Sequence, residues 1–158
     1  MMEPSFEKLL VLLAEAGVRF VIVGGVAVTL QGYMRMTEDV DLLVEDSADN
    51  LTLLLKTLSG YGEGFAKELS LEDFADEEGA IRIVEVVENC QIDLFTRLSG
   101  RHYSDVIADS EFLDLPGCRI HYASKNSLIG WKSKSVRGKD QLDALAMRRL
   151  AEDPRAFD

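Results

Sequence analysis

The sequence has few of the residues that cross-link or interrupt small proteins. It contains two cysteines, two histidines, three prolines and one tryptophan among 158 residues. Cys90 and Cys118 cannot form a disulfide framework, and with only two histidines they are a poor basis for a structural zinc site. There is no internal repeat and no linker rich in proline, glycine or serine. We therefore expect a single domain in a reducing compartment.

Long hydrophobic runs are also missing. The longest apolar stretch, residues 20–30, contains Gly24, Gly25 and Thr29 and is much shorter than the roughly 20 residues that cross a membrane. Residues 1–17 carry glutamates among their apolar residues and lack the basic start of a secretory signal. These two absences predict a cytoplasmic protein with no membrane partner.

Positive charge is scarce and unevenly placed. The chain has 17 basic and 28 acidic residues, a net charge of −11. Residues 124–158 hold eight basic and five acidic residues, whereas residues 1–123 hold nine and 23. Because an acidic body repels a polyanion, extensive contact with RNA is disfavoured, while a basic C-terminal segment suits phosphate groups.

Hydrophobic periodicity predicts helices and strands that alternate in the first half of the chain. Apolar residues at helical spacing after Pro4 predict an amphipathic first helix that Gly17 ends. A short buried strand over residues 19–23 precedes Gly24 and Gly25. The elements predicted next are a short helix over residues 26–30, a strand over residues 39–44 and a helix over residues 50–58 capped by Ser47.

The second half of the chain predicts a hairpin. Its strands are residues 81–87 and 91–96, with Glu88 and Asn89 as the turn. Residues 61–78 are acidic and are expected to be mostly loop. The remaining predicted elements are a weak helix over residues 103–108, a strand over 119–122, and helices over 125–133 and 139–151.

This order of elements predicts an α+β fold with a mixed sheet. Helices and strands alternate early while hairpins come late, so we expect the helices to pack mainly on one face of the sheet. Residues 1–158 are predicted to form one domain, on which the C-terminal helices of residues 125–151 pack.

Two glycines and two aspartates form the most informative pattern. Gly24 and Gly25 follow the first predicted strand, and Asp39 and Asp41 lie on the second. Aspartates at i and i+2 on a strand project to the same face, with Cα atoms about 6.5–7 Å apart. Like charges so close need a cation, and their oxygens suit Mg²⁺ or Mn²⁺ bound to a triphosphate. Glycines at a strand-to-helix junction allow close approach of a phosphate.

A third carboxylate would complete a two-metal site, and Asp93 is the favoured candidate. Ile92 and Leu94 define one face of its strand, so Asp93 points to the other face. An aspartate in an apolar strand needs a partner or a metal to offset its desolvation. Glu85 and Glu88 are rivals; the first lacks a comparable apolar setting and the second falls in the predicted turn.

These residues resemble the signature of the DNA polymerase beta-like nucleotidyltransferase superfamily. The closer resemblance is to its small bacterial branch, which includes nucleotidyltransferases of type IV toxin–antitoxin systems and related unassigned domains. It spans about residues 4–150 without residues 61–78, and it departs from the pattern at Gln31, where many relatives have histidine. The residues that carry it are Val23-Gly24-Gly25-Val26-Ala27-Val28, Gly32, Arg35, Thr37, Asp39, Asp41, Asp93, Trp131-Lys132, Arg137-Gly138-Lys139-Asp140 and Asp143.

The resemblance implies a metal site and a site for the triphosphate. Asp39 and Asp41 would hold the metal on the nucleotide phosphates, and Asp93 would join them on a second metal. Gly24 and Gly25 would cradle the β and γ phosphates of the nucleotide.

Basic residues would complete the nucleotide site. Lys132, supported by Lys139 or Arg137, would offset charge on the departing pyrophosphate. Arg35 and Thr37 precede the metal strand, where the arginine would orient the loop or reach the triphosphate.

The function expected is transfer of a nucleoside monophosphate from an NTP to an acceptor hydroxyl with Mg²⁺ or Mn²⁺ as cofactor. A side chain of a partner protein or toxin, a tRNA 3′ end and a small molecule all fit as acceptor, and the acidic body makes tRNA the less favoured one. The alternative is a catalytically silent, antitoxin-like interaction protein with the same fold. A metal-assisted phosphohydrolase fits less well, because no water-activating residue is evident.

Overall fold

The computed structural model of the protein describes residues 4–32, 39–62, 64–74, 79–85 and 90–134. The α-helices in this part are α1 (Pro4–Ala16), α2 (Gly24–Leu30), α3 (Ala48–Ser59), α4 (Tyr103–Ile107) and α5 (Lys125–Lys134). The strands are β1 (Phe20–Val23), β2 (Asp39–Val44), β3 (Ile81–Glu85), β4 (Cys90–Phe95), β5 (Glu111–Leu115) and β6 (Cys118–Tyr122). Together they form the α+β fold that the sequence predicts.

The six strands form one mixed sheet in the order β3-β4-β2-β1-β6-β5. Strand β2 is parallel to β4, and β1 is parallel to β6. The pairs β1–β2, β3–β4 and β5–β6 are antiparallel. The predicted mixed sheet and the predicted hairpin of β3 and β4 are therefore confirmed, and β2 and β4 lie side by side in the interior of the sheet.

The register of β2 and β4 separates an apolar face of the sheet from a polar one. Val40 lies beside Ile92 and Leu42 beside Leu94, and all four are buried. Since successive side chains alternate between faces, the intervening residues project to the opposite side. This second face carries Asp39 beside Gln91 and Asp41 beside Asp93, and we call it the aspartate face.

Helices α1 and α3 follow the sequence signals closely. Phe6, Leu9, Leu10 and Leu13 of α1 are almost completely buried, and Gly17 ends the helix with a positive φ of 88°, a conformation that costs glycine little. Helix α3 begins after Ser47, whose hydroxyl accepts a hydrogen bond from the backbone N–H of Asn50 at 3.2 Å. The predicted cap is confirmed, because this hydroxyl satisfies a donor at the free end of the helix.

Two features differ from the sequence prediction. Strand β5 was not expected, because its two acidic residues and exposed side chains give little β-propensity, although Pro116 and Gly117 mark the turn to β6. Its Glu111 accepts a hydrogen bond from the amide of Gln31, which also donates to the Ala123 carbonyl at 3.0 Å. Gln31 thereby ties the end of α2 to the sheet.

The other differences concern the start of α2 and the helical content of residues 61–78. Helix α2 begins at Gly24, two residues earlier than predicted. Residues 61–78, expected to be mostly loop, contain two short 3₁₀ helices, Phe65–Glu68 and Leu71–Asp73. The predicted helix over residues 139–151 lies outside the described residues. Among the described helices, none has the length and apolar character that a membrane crossing requires.

Candidate active site

Three aspartates converge on the aspartate face of the sheet. Asp41 on β2 lies directly beside Asp93 on β4, and Asp39 lies two residues before Asp41 on the same face. Each of the three offers a carboxylate oxygen, and these oxygens all lie within 4.8 Å of one another. Asp39 and Asp41 are half-buried and Asp93 is buried. The sheet therefore gathers three acidic groups at one point, as the sequence analysis expected.

Gly24 lies against this cluster at the end of β1. Val23 is the cross-strand partner of Asp41, so the next residue along the chain approaches the Asp41 side chain. A Cβ atom on Gly24 would come 2.1 Å from Oδ2 of Asp41, and the φ of Gly24 is +68°. Both the space and the backbone conformation thus require glycine. Gly25 is half-buried, so other side chains do not cover the turn completely.

Arg82 is a basic residue that contacts Asp93 directly. It is the cross-strand partner of Asp93, and its Nε and Nη2 donate hydrogen bonds to Oδ1 and Oδ2 of Asp93 at 2.9 and 3.3 Å. The Arg82 side chain is 61% exposed, whereas that of Asp93 is only 6% exposed. An arginine fork thus holds both oxygens of the most buried carboxylate in the cluster.

Opposing effects set the ionisation of Asp93. Burial raises the pKa of Asp93, while the hydrogen bonds and positive charge of Arg82 lower it. Hydrogen bonds with Asp39 and Asp41, in which the neighbouring carboxyl group carries the proton, also lower it. The lowering effects outweigh burial, so the pKa lies below the usual value of an aspartate. Asp93 is consequently charged at neutral pH and available as a hard oxygen ligand.

Gln91 and Glu85 show how strand register sorts polar side chains. Gln91 donates a hydrogen bond from Nε2 to Oδ2 of Asp39 at 3.4 Å, so the aspartate face also carries a neutral donor. Glu85 is the cross-strand partner of Cys90, which places it on the opposite face from Asp93. There it accepts a hydrogen bond from the backbone N–H of Phe65 at 3.3 Å.

The interpretation of one rival carboxylate, Glu85, changes accordingly. The expectation that Glu85 lacks an apolar setting was wrong, since it is only 2% exposed beneath the 3₁₀ segment. Its exclusion from the aspartate cluster rests instead on the face of the sheet to which it points. Glu88, the second rival, lies outside the described residues.

Several residues of the predicted nucleotide site lie outside the described part of the structure. They are Arg35, Thr37, Arg137 and Lys139, together with Asp140 and Asp143. The backbone of Lys132 belongs to α5, one residue after Trp131, but its side chain is also outside the described part. The roles predicted for these residues stay predictions.

Sequence reasoning missed Arg82 because of the register of the hairpin. A two-residue turn at Glu88 and Asn89 would have put Val84 opposite Asp93, whereas the observed pairing puts Arg82 there. A shift of two residues leaves every side chain on its face, so the alternating pattern of β3 cannot detect it. The available signal was the need of a buried aspartate for a cationic partner.

The arrangement fits a divalent cation. Carboxylate oxygens from three residues, close together and partly open to solvent, are the donor set that Mg²⁺ and Mn²⁺ prefer. Because Gly24 has no side chain, the Asp41 carboxylate can lie directly against the turn after β1. A glycine turn next to three acidic side chains suits a cation that is bound to a phosphate group.

A family model covers nearly the whole chain. The family described as "Nucleotidyl transferase of unknown function (DUF2204)" matches residues 4–155, a range that contains the three aspartates and Gly24. A comparison with curated proteins gives no match. With its mixed sheet and its aspartate cluster in place, the chain belongs to this nucleotidyl transferase family.

Proposed function

We propose that this protein is an active, metal-dependent nucleotidyltransferase, which transfers a nucleoside monophosphate from an NTP to a hydroxyl group of an acceptor. The observation that carries the proposal is the approach of three carboxylates to within 4.8 Å on adjacent strands. Holding such charges together is unfavourable without a cation. Membership of a nucleotidyl transferase family supports the proposal, because a divalent cation stabilises the charge that develops in phosphoryl transfer.

Asp39, Asp41 and Asp93 would hold the metal. Bound there, a divalent cation would neutralise charge on the triphosphate and lower the pKa of the acceptor hydroxyl. The backbone pairing of β2 with β4, two interior strands, fixes where the three aspartates stand relative to one another. Gln91 restrains Asp39 through a hydrogen bond, which reduces the freedom that this side chain loses when it binds a metal.

Gly24 and Gly25 would let the triphosphate approach the backbone at the start of α2. The Asp41 side chain lies directly against Gly24. A phosphate bound at this turn would therefore lie close to the aspartates. Lys132 with Lys139 or Arg137 would balance charge on the pyrophosphate, and Arg35 and Thr37 would lie near the triphosphate. This assignment of the basic residues follows from the resemblance and from charge.

The acceptor would be a protein side chain or a small molecule rather than tRNA. Residues 1–123 hold nine basic and 23 acidic residues, and few positive groups in that part are left to neutralise a nucleic-acid backbone. A protein partner such as a toxin, or a small hydroxyl compound, needs no such extended positive surface.

Incubation with each α-labelled NTP and Mg²⁺ tests the proposal. Pyrophosphate release and label on an acceptor are expected for the wild-type protein, with acceptors offered as a partner-protein pool, tRNA and small hydroxyl compounds. Asp41→Asn should abolish both signals. Asp114→Asn is the matched control, because Asp114 lies on the outer strand β5, where it pairs with Arg119.

Two results would contradict the proposal. Transfer that survives Asp41→Asn would remove the aspartate cluster from the reaction. If the wild-type protein binds neither Mn²⁺ nor NTPs, the alternative is favoured. That alternative is a catalytically silent, antitoxin-like protein that uses the same fold for interaction.

A further inference from the structure

Two arginine–aspartate pairs of similar shape lie on the aspartate face, in different surroundings. Arg82 contacts Asp93 through Nε at 2.9 Å and Nη2 at 3.3 Å. Arg119 contacts Asp114 through the same atoms at 2.8 and 3.5 Å. Both pairs join cross-strand partners in antiparallel strands. The sheet thus provides an internal comparison for the pair in the candidate site.

The surroundings of the two carboxylates are what differ. The Asp114 side chain is 63% exposed and lies on β5, an edge strand, whereas Asp93 lies on β4 in the interior of the sheet. The Asp93 side chain is 6% exposed and lies beside Asp41 with Asp39 close by. Arg82 also interacts electrostatically with Asp39 and Asp41. The charge of Arg82 therefore attracts all three aspartates of the cluster, whereas Arg119 forms its ion pair with one exposed carboxylate.

The Arg82 fork occupies the same oxygens that a cation at Asp93 would use. Each oxygen of Asp93 accepts one of its hydrogen bonds. A carboxylate oxygen that coordinates a divalent cation gives up much of its capacity to accept from a guanidinium, and two cations at one carboxylate repel each other. Because the Arg82 side chain is 61% exposed, it has solvent into which it can withdraw.

We infer that Arg82 is an exchangeable counter-ion for the aspartate cluster: its guanidinium offsets part of the cluster's negative charge when no metal is bound, and a divalent cation displaces it from at least one oxygen of Asp93. The inference rests on the proposed function, in which Asp93 is a metal ligand. Arg82 then lowers metal affinity while keeping the metal-free protein stable. Asp93 binds the cation only if the free energy gained from metal coordination exceeds the free energy lost with the Arg82 contact.

Calorimetric Mn²⁺ titration of the full chain tests this assignment. Arg82→Gln should bind Mn²⁺ about five- to tenfold more tightly than wild type, since a charge-assisted contact no longer competes. Arg82→Lys, which keeps one charge but not the fork, should fall between the two. Arg119→Gln should bind like wild type, because it alters a pair of the same shape outside the cluster.

Thermal unfolding with and without metal gives a second readout. In EDTA, Arg82→Gln should unfold at a lower temperature than wild type, and saturating Mn²⁺ should raise its unfolding temperature by more than it raises that of wild type. Circular dichroism checks that each variant is folded, which the exposure of the Arg82 side chain favours.

The outcomes separate this inference from the proposed function. If wild type binds Mn²⁺ and Arg82→Gln binds it equally or more weakly, the proposed displacement of Arg82 is wrong. Arg82 then only orients Asp93. Binding by Arg82→Gln that exceeds wild type supports it, even where wild-type binding is too weak to detect. Absence of Mn²⁺ binding in every variant overturns the inference together with the metal-dependent function.

Discussion

Gly24 and Asp41 are in such close contact that the identity of one determines the position of the other. A Cβ atom at Gly24 would lie 2.1 Å from Oδ2 and 2.9 Å from Cγ of Asp41, and the Gly24 backbone has a positive φ. The carboxylate cannot keep its place on β2 next to any side chain larger than hydrogen. This contact links the turn after β1 to the acidic cluster.

Gly24→Ala is expected to damage both folding stability and metal binding. The unfavourable φ and the clash together should lower the free energy of unfolding by about 2 kcal/mol or more, and Mn²⁺ affinity should fall because Asp41 must move. Urea unfolding and calorimetry measure the two effects. Gly130→Ala is the control: Gly130 lies in α5 with no atom close to its Cβ position, and this change should be neutral or stabilise by up to about 1 kcal/mol. Equal stability of the two variants would contradict the contact.

Asp39→Asn should stabilise the metal-free protein and weaken its binding of metal. The change removes one of three neighbouring charges, while the new amide oxygen still accepts from Gln91. We expect the free energy of unfolding in EDTA to rise by about 1 kcal/mol and Mn²⁺ affinity to fall at least about tenfold. Urea unfolding in EDTA and in MnCl₂ measures both. Asp46→Asn, at an exposed site, should change neither, and a loss of stability in EDTA for Asp39→Asn would argue against repulsion in the cluster.

Glu85→Gln tests the assignment of faces. Glu85 is as buried as Asp93 but projects from the other side of the sheet, where Phe65 donates to it. We expect Mn²⁺ affinity to stay within about twofold of wild type, while the free energy of unfolding drops by about 1 kcal/mol as a charged acceptor becomes neutral. Asp93→Asn, measured in parallel, should lose affinity. Weakened Mn²⁺ binding by Glu85→Gln would place Glu85 in the metal site after all.

His121 should make the protein less stable in mild acid. Burial lowers the pKa of His121, and the charge of Arg119 lowers it further. The His121 ring also contacts Ser110 and the Phe112 ring. The unfolded chain therefore binds a proton at a pH where the folded one does not, so stability falls as pH drops below about 6.5 through the folded pKa.

Nuclear magnetic resonance titration of the imidazole measures that pKa directly. A value below about 6.5 is expected, and His121→Gln should remove this part of the pH dependence. Arg119→Gln should raise the pKa only part of the way, because burial is the larger cause. A pKa above that of a free histidine would refute the assignment.

The elements that sequence predicted well are those with local signals. The four buried apolar residues of α1 repeat at helical spacing, and Ser47 caps α3 as expected. Strand β5 was not predicted because it lies at the edge of the sheet, where exposed and acidic residues replace the alternation of apolar and polar residues. Its place beside β6 is given by pairing rather than by composition.

The sequence by itself determined which acidic side chains share a face of their strand. The i, i+2 spacing of Asp39 and Asp41 puts both on one face of any strand, and the alternation around Asp93 puts it opposite Ile92 and Leu94. These are consequences of backbone geometry within a single strand, so they hold before any neighbour is known.

Only the tertiary structure decided what stands next to those residues. Parallel pairing of β2 with β4 brought Asp93 beside Asp41, and the register of β3 put Arg82 rather than Val84 across from Asp93. It also placed Glu85 on the opposite face and Gly24 against Asp41. Strand order and register depend on contacts between segments far apart in the chain, and a local pattern of two-residue period is the same for every register shifted by two.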